Sequence, residues 1–254
     1  MNKWQKILMG LASFILFIGI WQLIIIIGDY EEALLPSPAA VGQGIVTLIE
    51  DGTLLIHIKI SLMRFVIGYV SAVILAILLG LIFGRIKWLW ALLNPIVQLI
   101  RPVAPIAWAP FIVLWFGIGD IPAIVIIFIA AFFPVLLSTV TAVNQIDSRY
   151  LKIAQNLEIK QPQLMYKIIF PAAFPSIAHS LHIALGTAWI FLVSGEMIGA
   201  QSGLGYLIID SRNALDLDLV LAGILFIGII GLLLDSAISL FERWIQKFWG
   251  KPIA

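Results

Sequence analysis

Stretches of about twenty apolar residues recur along this chain of 254 residues. Each is long enough to cross the ~30 Å hydrocarbon core of a bilayer as a helix. Hydrophobic residues make up 62% of the chain and charged residues 11%, against about 45–50% and about 25% in soluble domains. A soluble fold cannot cover that much apolar surface. The chain therefore reads as an all-α membrane protein of about six transmembrane helices. No soluble domain of any size fits beside them, and no internal repeat or low-complexity linker divides the chain. Residues 1–254 are thus expected to form one transmembrane domain.

The spans are expected at residues 7–27, 65–83, 88–116, 121–141, 177–195 and 219–240. Lys3 and Lys6 give the first run the look of a signal peptide, but it exceeds an h-region of about 7–15 residues and reads as an uncleaved helix closed by Gly28-Asp29-Tyr30-Glu31-Glu32. After Leu35-Pro36-Ser37-Pro38, the stretch to Ile60 mixes Glu50, Asp51, His57 and Lys59 with aliphatic residues. That mixture predicts an interfacial helix. Gly68, Gly80 and Gly84 in the second span let a neighbouring helix come close. The third span is overlong and interrupted by Arg101-Pro102, Pro105 and Pro110, which predicts a kinked or broken helix.

Lys and Arg are sorted by loop. Eleven fall in one alternate set of loops, three (Lys59, Arg64 and Arg212) in the other, and Arg101 stands apart inside a span. By the positive-inside rule both termini are cytoplasmic and the number of spans is even. A formal net charge of +1 with no basic patch sets nucleic acid aside as a partner. The absence of cysteine excludes disulfides, thiolate metal sites and a cysteine nucleophile. His57, His179 and His182 carry no HExxH-type spacing, so no metal site is expected.

The most informative polar interval runs over residues 144–176, on the cytoplasmic side. Tyr150, Ile153, Ala154 and Leu157 fall at i, i+3, i+4 and i+7, which predicts a short amphipathic helix capped by Asp147 or Ser148. Its apolar face can dock on its own protein, on lipid headgroups or on a separate soluble motor.

Here the residues resemble a known family. Ala154-Gln155-Asn156-Leu157-Glu158, followed by Ile168-Ile169-Phe170-Pro171 and Pro175, is similar to the EAA loop of ABC importer permeases, the inner-membrane components of binding-protein-dependent transport. Ser61-Leu62-x-Arg64, Arg101-Pro102, Leu114-Trp115-Phe116-Gly117-Ile118-Gly119, Phe133-Pro134, Gly195-Glu196-Met197 and Gly203-Leu204-Gly205-Tyr206 resemble its nitrate/sulfonate/taurine subgroup. The resemblance implies a type I ABC importer permease fold in a bacterial inner membrane. It also implies a second permease copy, an ABC ATPase dimer carrying ATP and Mg, and an extracytoplasmic solute-binding protein, with no cofactor in this chain. The coupling residues would be Lys152, Ile153, Ala154, Leu157, Glu158 and Pro171. Lys152 stands where the family has its first Glu, Ile153 where it has Ala, and Glu158 where it has Gly. A glycine there would serve a left-handed turn. The chain has no Gly-x-x-x-x-Gly-Lys-Ser/Thr loop, since Gly250-Lys251 lacks the rest of the motif. Energy must come from elsewhere, and the chain reads as a transport subunit and not an enzyme.

For the solute path, Arg101 with Pro102 and Pro105 is the sharpest candidate, because a charge at mid-membrane usually faces a cavity or a partner. An Arg there suits an anion. Pairing with a carboxylate such as Asp235, or snorkelling to the cytoplasmic side, is the somewhat stronger alternative. Glu196 either lines an outer gate or bonds between helices near Asp210 and Ser211. Trp108, Trp115 and Trp189 either stack on solute or anchor at the interface. The Gly203-Leu204-Gly205-Tyr206 turn either seats the binding protein or is an ordinary loop. The functional reading is import of a small anionic solute, with a neutral or aromatic solute (riboflavin or a pyrimidine precursor) as the alternative. An ion-coupled secondary transporter fits less well, because Asp235 is the one acid clearly inside a span and no inverted repeat is present. A pure membrane anchor would need neither a proline-broken span nor a docking loop.

Overall fold

The computed structural model describes residues 3–28, 31 and 34–249. Asp29, Tyr30, Glu32, Gly250 and Lys251 lie outside them. In chain order the helices are α1 (Lys3–Gly28), α2 (Pro38–Glu50), α3 (Thr53–Arg85), α4 (Lys87–Ile100), α5 (Ala109–Phe116) and α6 (Asp120–Asn144). There follow α7 (Ser148–Asn156), α8 (Gln161–Leu164), α9 (Phe170–Gly199), α10 (Leu204–Ala214) and α11 (Leu217–Trp249). A 3-10 turn, Pro105–Trp108, precedes α5, and a π-helical turn, Met165–Ile169, joins α8 to α9. Among the described residues, five segments are long and apolar enough to cross a membrane, or six if α4 and the Pro105–Phe116 segment, bent by 86°, are taken as one broken span.

The expected second span, 65–83, is only the inner part of α3. The interfacial stretch is shorter than expected: α2 stops at Glu50, and Gly52, at φ 71, turns the chain directly into α3. His57, Lys59 and Arg64 are therefore helix residues and not loop residues. Ser37 caps α2 by accepting a hydrogen bond from the Ala40 amide at 3.1 Å, with Pro38 in the first turn. That is the local reason for the Leu35-Pro36-Ser37-Pro38 signature.

α6 is the central helix, with α3 on one side and α9 on the other. On α3, Gly68, Ala72, Ala76, Gly80 and Gly84 recur every four residues and so share one face. All five are buried. A Cβ at Gly80 would stand 2.6 Å from Thr139 Cβ, and one at Gly84 would stand 2.6 Å from Val143 Cβ. The helices approach to backbone contact distance because those Cβ atoms are missing. In lipid this close packing replaces the hydrophobic driving force that water supplies elsewhere. α9 meets α6 through Gly195 and Gly199 in the same way. By contrast, none of the apolar window of α1 is buried; most of its large side chains are exposed, while Trp21 packs against the core.

Candidate functional site

Three places bring polar chemistry into this apolar frame. The first is the end of the bundle that carries α7. Asp147 accepts a hydrogen bond from the Arg149 amide at 2.8 Å and pairs with the Arg149 guanidinium, so it is the N-cap. Those hydrogen bonds from Arg149 hold the Asp147 carboxyl below its usual range. Of the apolar face, Ala154 is buried against the bundle, whereas Tyr150, Ile153 and Leu157 are more than half exposed. Lys152 and Glu158 are also exposed. After Leu157 the chain closes a Schellman turn. The Glu158 amide donates to Gln155 O and the Ile159 amide to Ala154 O, both at 3.0 Å. Glu158 sits at φ 51, the left-handed region that glycine occupies without strain. Pro171 enters the first turn of α9, and the π turn just before it has a physical cause. A proline ring collides with the carbonyl four residues back, here Lys167, and the wider turn relieves that contact.

The second place is the break in the third span. α4 ends where the Arg101 amide donates to Val97 O at 2.9 Å. Pro102 and Pro105 prevent continuation, and the chain turns by 86°. Non-helical backbone is tolerated at membrane depth only where it lines a cavity or is buried in protein. Here it lines two cavities. One, of about 220 Å³, is walled by residues 101–105 with Phe133 and Phe191. The other, of about 730 Å³, is bounded by Arg101, α6, α9 and Glu242. Arg101 does not pair with Asp235, whose Oδ1 lies 2.8 Å from His182 Nε2. Glu242 is bracketed by His179 Nδ1 at 3.1 Å and His182 Nδ1 at 3.0 Å. Trp108 packs with Ile112 and Ile126 in a small satellite core, its Nε1 buried without a hydrogen-bond partner. Trp189 is also buried and donates to Ile227 O at 3.1 Å, tying α9 to α11. Trp115 is exposed.

The third place is at the opposite end, where α3 and α6 begin and α9 ends. Arg64 is fully buried. Its Nη1 donates to Glu196 Oε1 at 2.8 Å and to Ser202 O at 2.6 Å. Its Nε donates to Asp120 Oδ1 at 2.8 Å, and its Nη2 to Ser202 Oγ at 2.7 Å and also to Asp120. Glu196 does not reach Asp210 or Ser211; its further partners are Ser61 Oγ, at 2.8 and 2.9 Å, and the Gly205 amide at 2.9 Å. It lies among packed helices, in neither cavity. Three amides opening α10 are taken by side chains: Gly203 N by His57 Nδ1, Leu204 N by Ser61 and Gly205 N by Glu196. A carboxylate and a hydroxyl from other helices thus do the work of a cap. Gly203, at φ 101, lies against the Glu196 carboxylate, where no side chain would fit.

Arg64, Ser61 and Asp120 were not foreseen as a unit. The signal was present, because His57, Ser61, Arg64 and Gly68 follow helical spacing and extend the small-residue face of α3.

Comparison with known proteins fits these observations. Residues 72–247 match the model of the family described as binding-protein-dependent transport system inner membrane component. SsuC of Bacillus subtilis (strain 168), assigned to aliphatic sulfonates transport, is 35% identical over 96% of this chain and 88% of its own. TauC, the taurine transport system permease protein of Escherichia coli (strain K12), is 31% identical over 98% and 94%. NrtB, the nitrate import permease protein of Synechocystis sp., is 30% identical over 94% and 90%. A chain of the inward-facing MetNI methionine ABC transporter superposes with a TM-score of 0.61 at 20% identity, over 76% of this chain and 94% of that one, which shows the fold. The chain is thus a multi-pass ABC importer permease, and it belongs to the binding-protein-dependent transport system inner membrane component family.

Proposed function

We propose that this permease imports a small oxyanion of the sulfonate, taurine or nitrate kind. It would work as one of two copies, driven by an ATPase pair and fed by a solute-binding protein from the opposite side. The end carrying α7 would be cytoplasmic, in keeping with the distribution of Lys and Arg. The observation that carries the reading is the state of α7. Tyr150, Ile153 and Leu157 form an apolar face that nothing among the described residues covers. Ala154 anchors the same helix to the bundle, and the π turn leads from it into α9, a wall of the larger cavity. A motor seated on that face would act directly on the cavity. Lys152 and Glu158, exposed beside it, would set the charge the motor meets. The solute class rests on the named relatives and on a guanidinium at the break.

The test is to express the permease with its ATPase and binding protein and to replace Ile153 and Leu157 by Glu. Both are exposed, so insertion and folding should be unaffected. Co-purification of the ATPase and ATP-dependent uptake of ethanesulfonate or nitrate into proteoliposomes should both be lost. If both persist in the double variant, this face is not the motor contact.

A further inference from the structure

The two arginines at the ends of the α3–α6–α9 core differ in one respect. Arg64 aims its N–H groups at two carboxylates and both oxygens of Ser202. Arg101 has no ion pair or side-chain hydrogen bond among the described residues, although a guanidinium carries five donors. It lines the cavity of about 730 Å³.

The hydroxyls also divide, although Ser180, which lines the cavity too, is among the satisfied ones. Inside a helix, Ser and Thr normally satisfy themselves on a backbone carbonyl three or four residues back. Ser71, Thr139, Ser180 and Thr187 all do so. Ser138, Thr141 and Ser176, which line the same cavity as Arg101, do not. Among the described residues their side chains have no partner. Glu242 is the one acid on the lining, and its two carboxylate oxygens face His179 and His182. Among the described residues, what remains open toward the cavity is the unneutralised Arg101 guanidinium, three free hydroxyls and the Gln145 amide, which can donate as well as accept.

We infer that this cavity is an oxyanion-binding site, in which Arg101 supplies the charge and Ser138, Thr141 and Ser176 donate to the oxygens. The inference rests on the oxyanion-import reading and adds to it a specific place where the solute is held within the permease. The site is roomy relative to a nitrate or a sulfonate headgroup, so the anion keeps part of its water and is held weakly. Weak holding suits a path, which must let the solute leave. A phosphate headgroup of an anionic lipid offers the same chemistry, and the experiment separates the two sources.

The chain contains no cysteine, so Ser138→Cys introduces a unique thiol in the permease, with Ser176→Cys as a second reporter. The permease–ATPase complex in phosphatidylcholine nanodiscs is treated with anionic 2-sulfonatoethyl or cationic 2-(trimethylammonio)ethyl methanethiosulfonate. Modification is read by mass on the permease chain and normalised to a free thiol. The anionic reagent should react several-fold faster, and millimolar nitrate or ethanesulfonate should slow it. Arg101→Gln should abolish the preference, and Arg101→Lys should keep most of it. Equal rates at both reporters, or a preference that survives Arg101→Gln, overturn the site. Slowing that appears only when phosphatidylglycerol is added assigns the site to lipid and overturns the solute assignment. If labelling behaves as expected but the assembled transporter takes up neither sulfonate nor nitrate, the site stands and the functional reading fails.

Discussion

Arg64 and Glu196 meet at 2.8 Å with both side chains withdrawn from solvent, joining the first third of the chain to the end of α9. Removing one member of such a pair leaves a buried charge, at a cost of about 3–5 kcal/mol. Arg64→Gln and Glu196→Leu should each lower the apparent melting temperature of the detergent-solubilised permease sharply. The combined Arg64→Met/Glu196→Leu protein should recover part of the loss. Recovery should stay incomplete, since Ser202 and the Gly205 amide also lose partners. A double-mutant cycle by thermal unfolding checks this, and independent, additive losses would show that the pair is not coupled.

Gly80 offers a test of packing in place of charge. Glycine to alanine inside a helix normally gains about 1 kcal/mol. Here the new Cβ would meet Thr139 at 2.6 Å, and overpacking costs about 1–3 kcal/mol. Gly80→Ala should therefore destabilise, whereas Gly228→Ala, with nothing within 4 Å of its Cβ, should be neutral or mildly stabilising. Equal melting temperatures for the two variants would contradict the close α3–α6 contact.

Glu158→Gly should relieve the left-handed strain at φ 51, worth about 1 kcal/mol. Hydrogen exchange in α7 should slow. The combined Lys152→Glu/Glu158→Gly protein should in addition lose preference for its own ATPase and accept non-cognate ones. Unchanged assembly and transport with the native ATPase, and no gain with others, would remove these two residues from partner choice.

The cap of α7 depends on pH in a direction that can be worked out. Asp147 has a depressed folded pKa, so its contribution is complete above the unfolded value of about 4 and is lost as pH falls through the folded value. Exchange protection of α7 should be flat between about pH 5 and 8 as far as this group is concerned. Asp147→Asn keeps a capping oxygen and should remove the acid-side loss, while Asp147→Ala should fray the helix at every pH.

The spans were legible because bilayer thickness translates directly into run length, and the break at Arg101 because proline forbids continuation. The start of α3 was not. His57, Lys59 and Arg64 read as polar surface, whereas His57 and Arg64 find their partners on the loop into α10, about 140 residues on. Periodicity along one helix shows which residues share a face but not what covers that face. The same limit applies to Glu196: the Gly205 amide is near in sequence, but Ser61 and Arg64, its side-chain partners, lie on α3. Glu158 was readable for the opposite reason: a left-handed turn is a local requirement, and the residue that departs from it is visible in place.

The helical run from Pro162 to Gly199 is 38 residues long, or about 57 Å at 1.5 Å per residue. The hydrocarbon core accounts for about 30 Å of that, so a third or more of the run projects beyond it. On a rod of that length, one degree of tilt about its far end displaces the near end by about 1 Å. Glu196 pins the far end to α3 and α10, and α7 precedes the near end. A displacement of a few ångströms at the near end would therefore need a rotation of only a few degrees about the Glu196 contacts, small enough to leave the Arg64 contacts intact while the wall between them moves sideways.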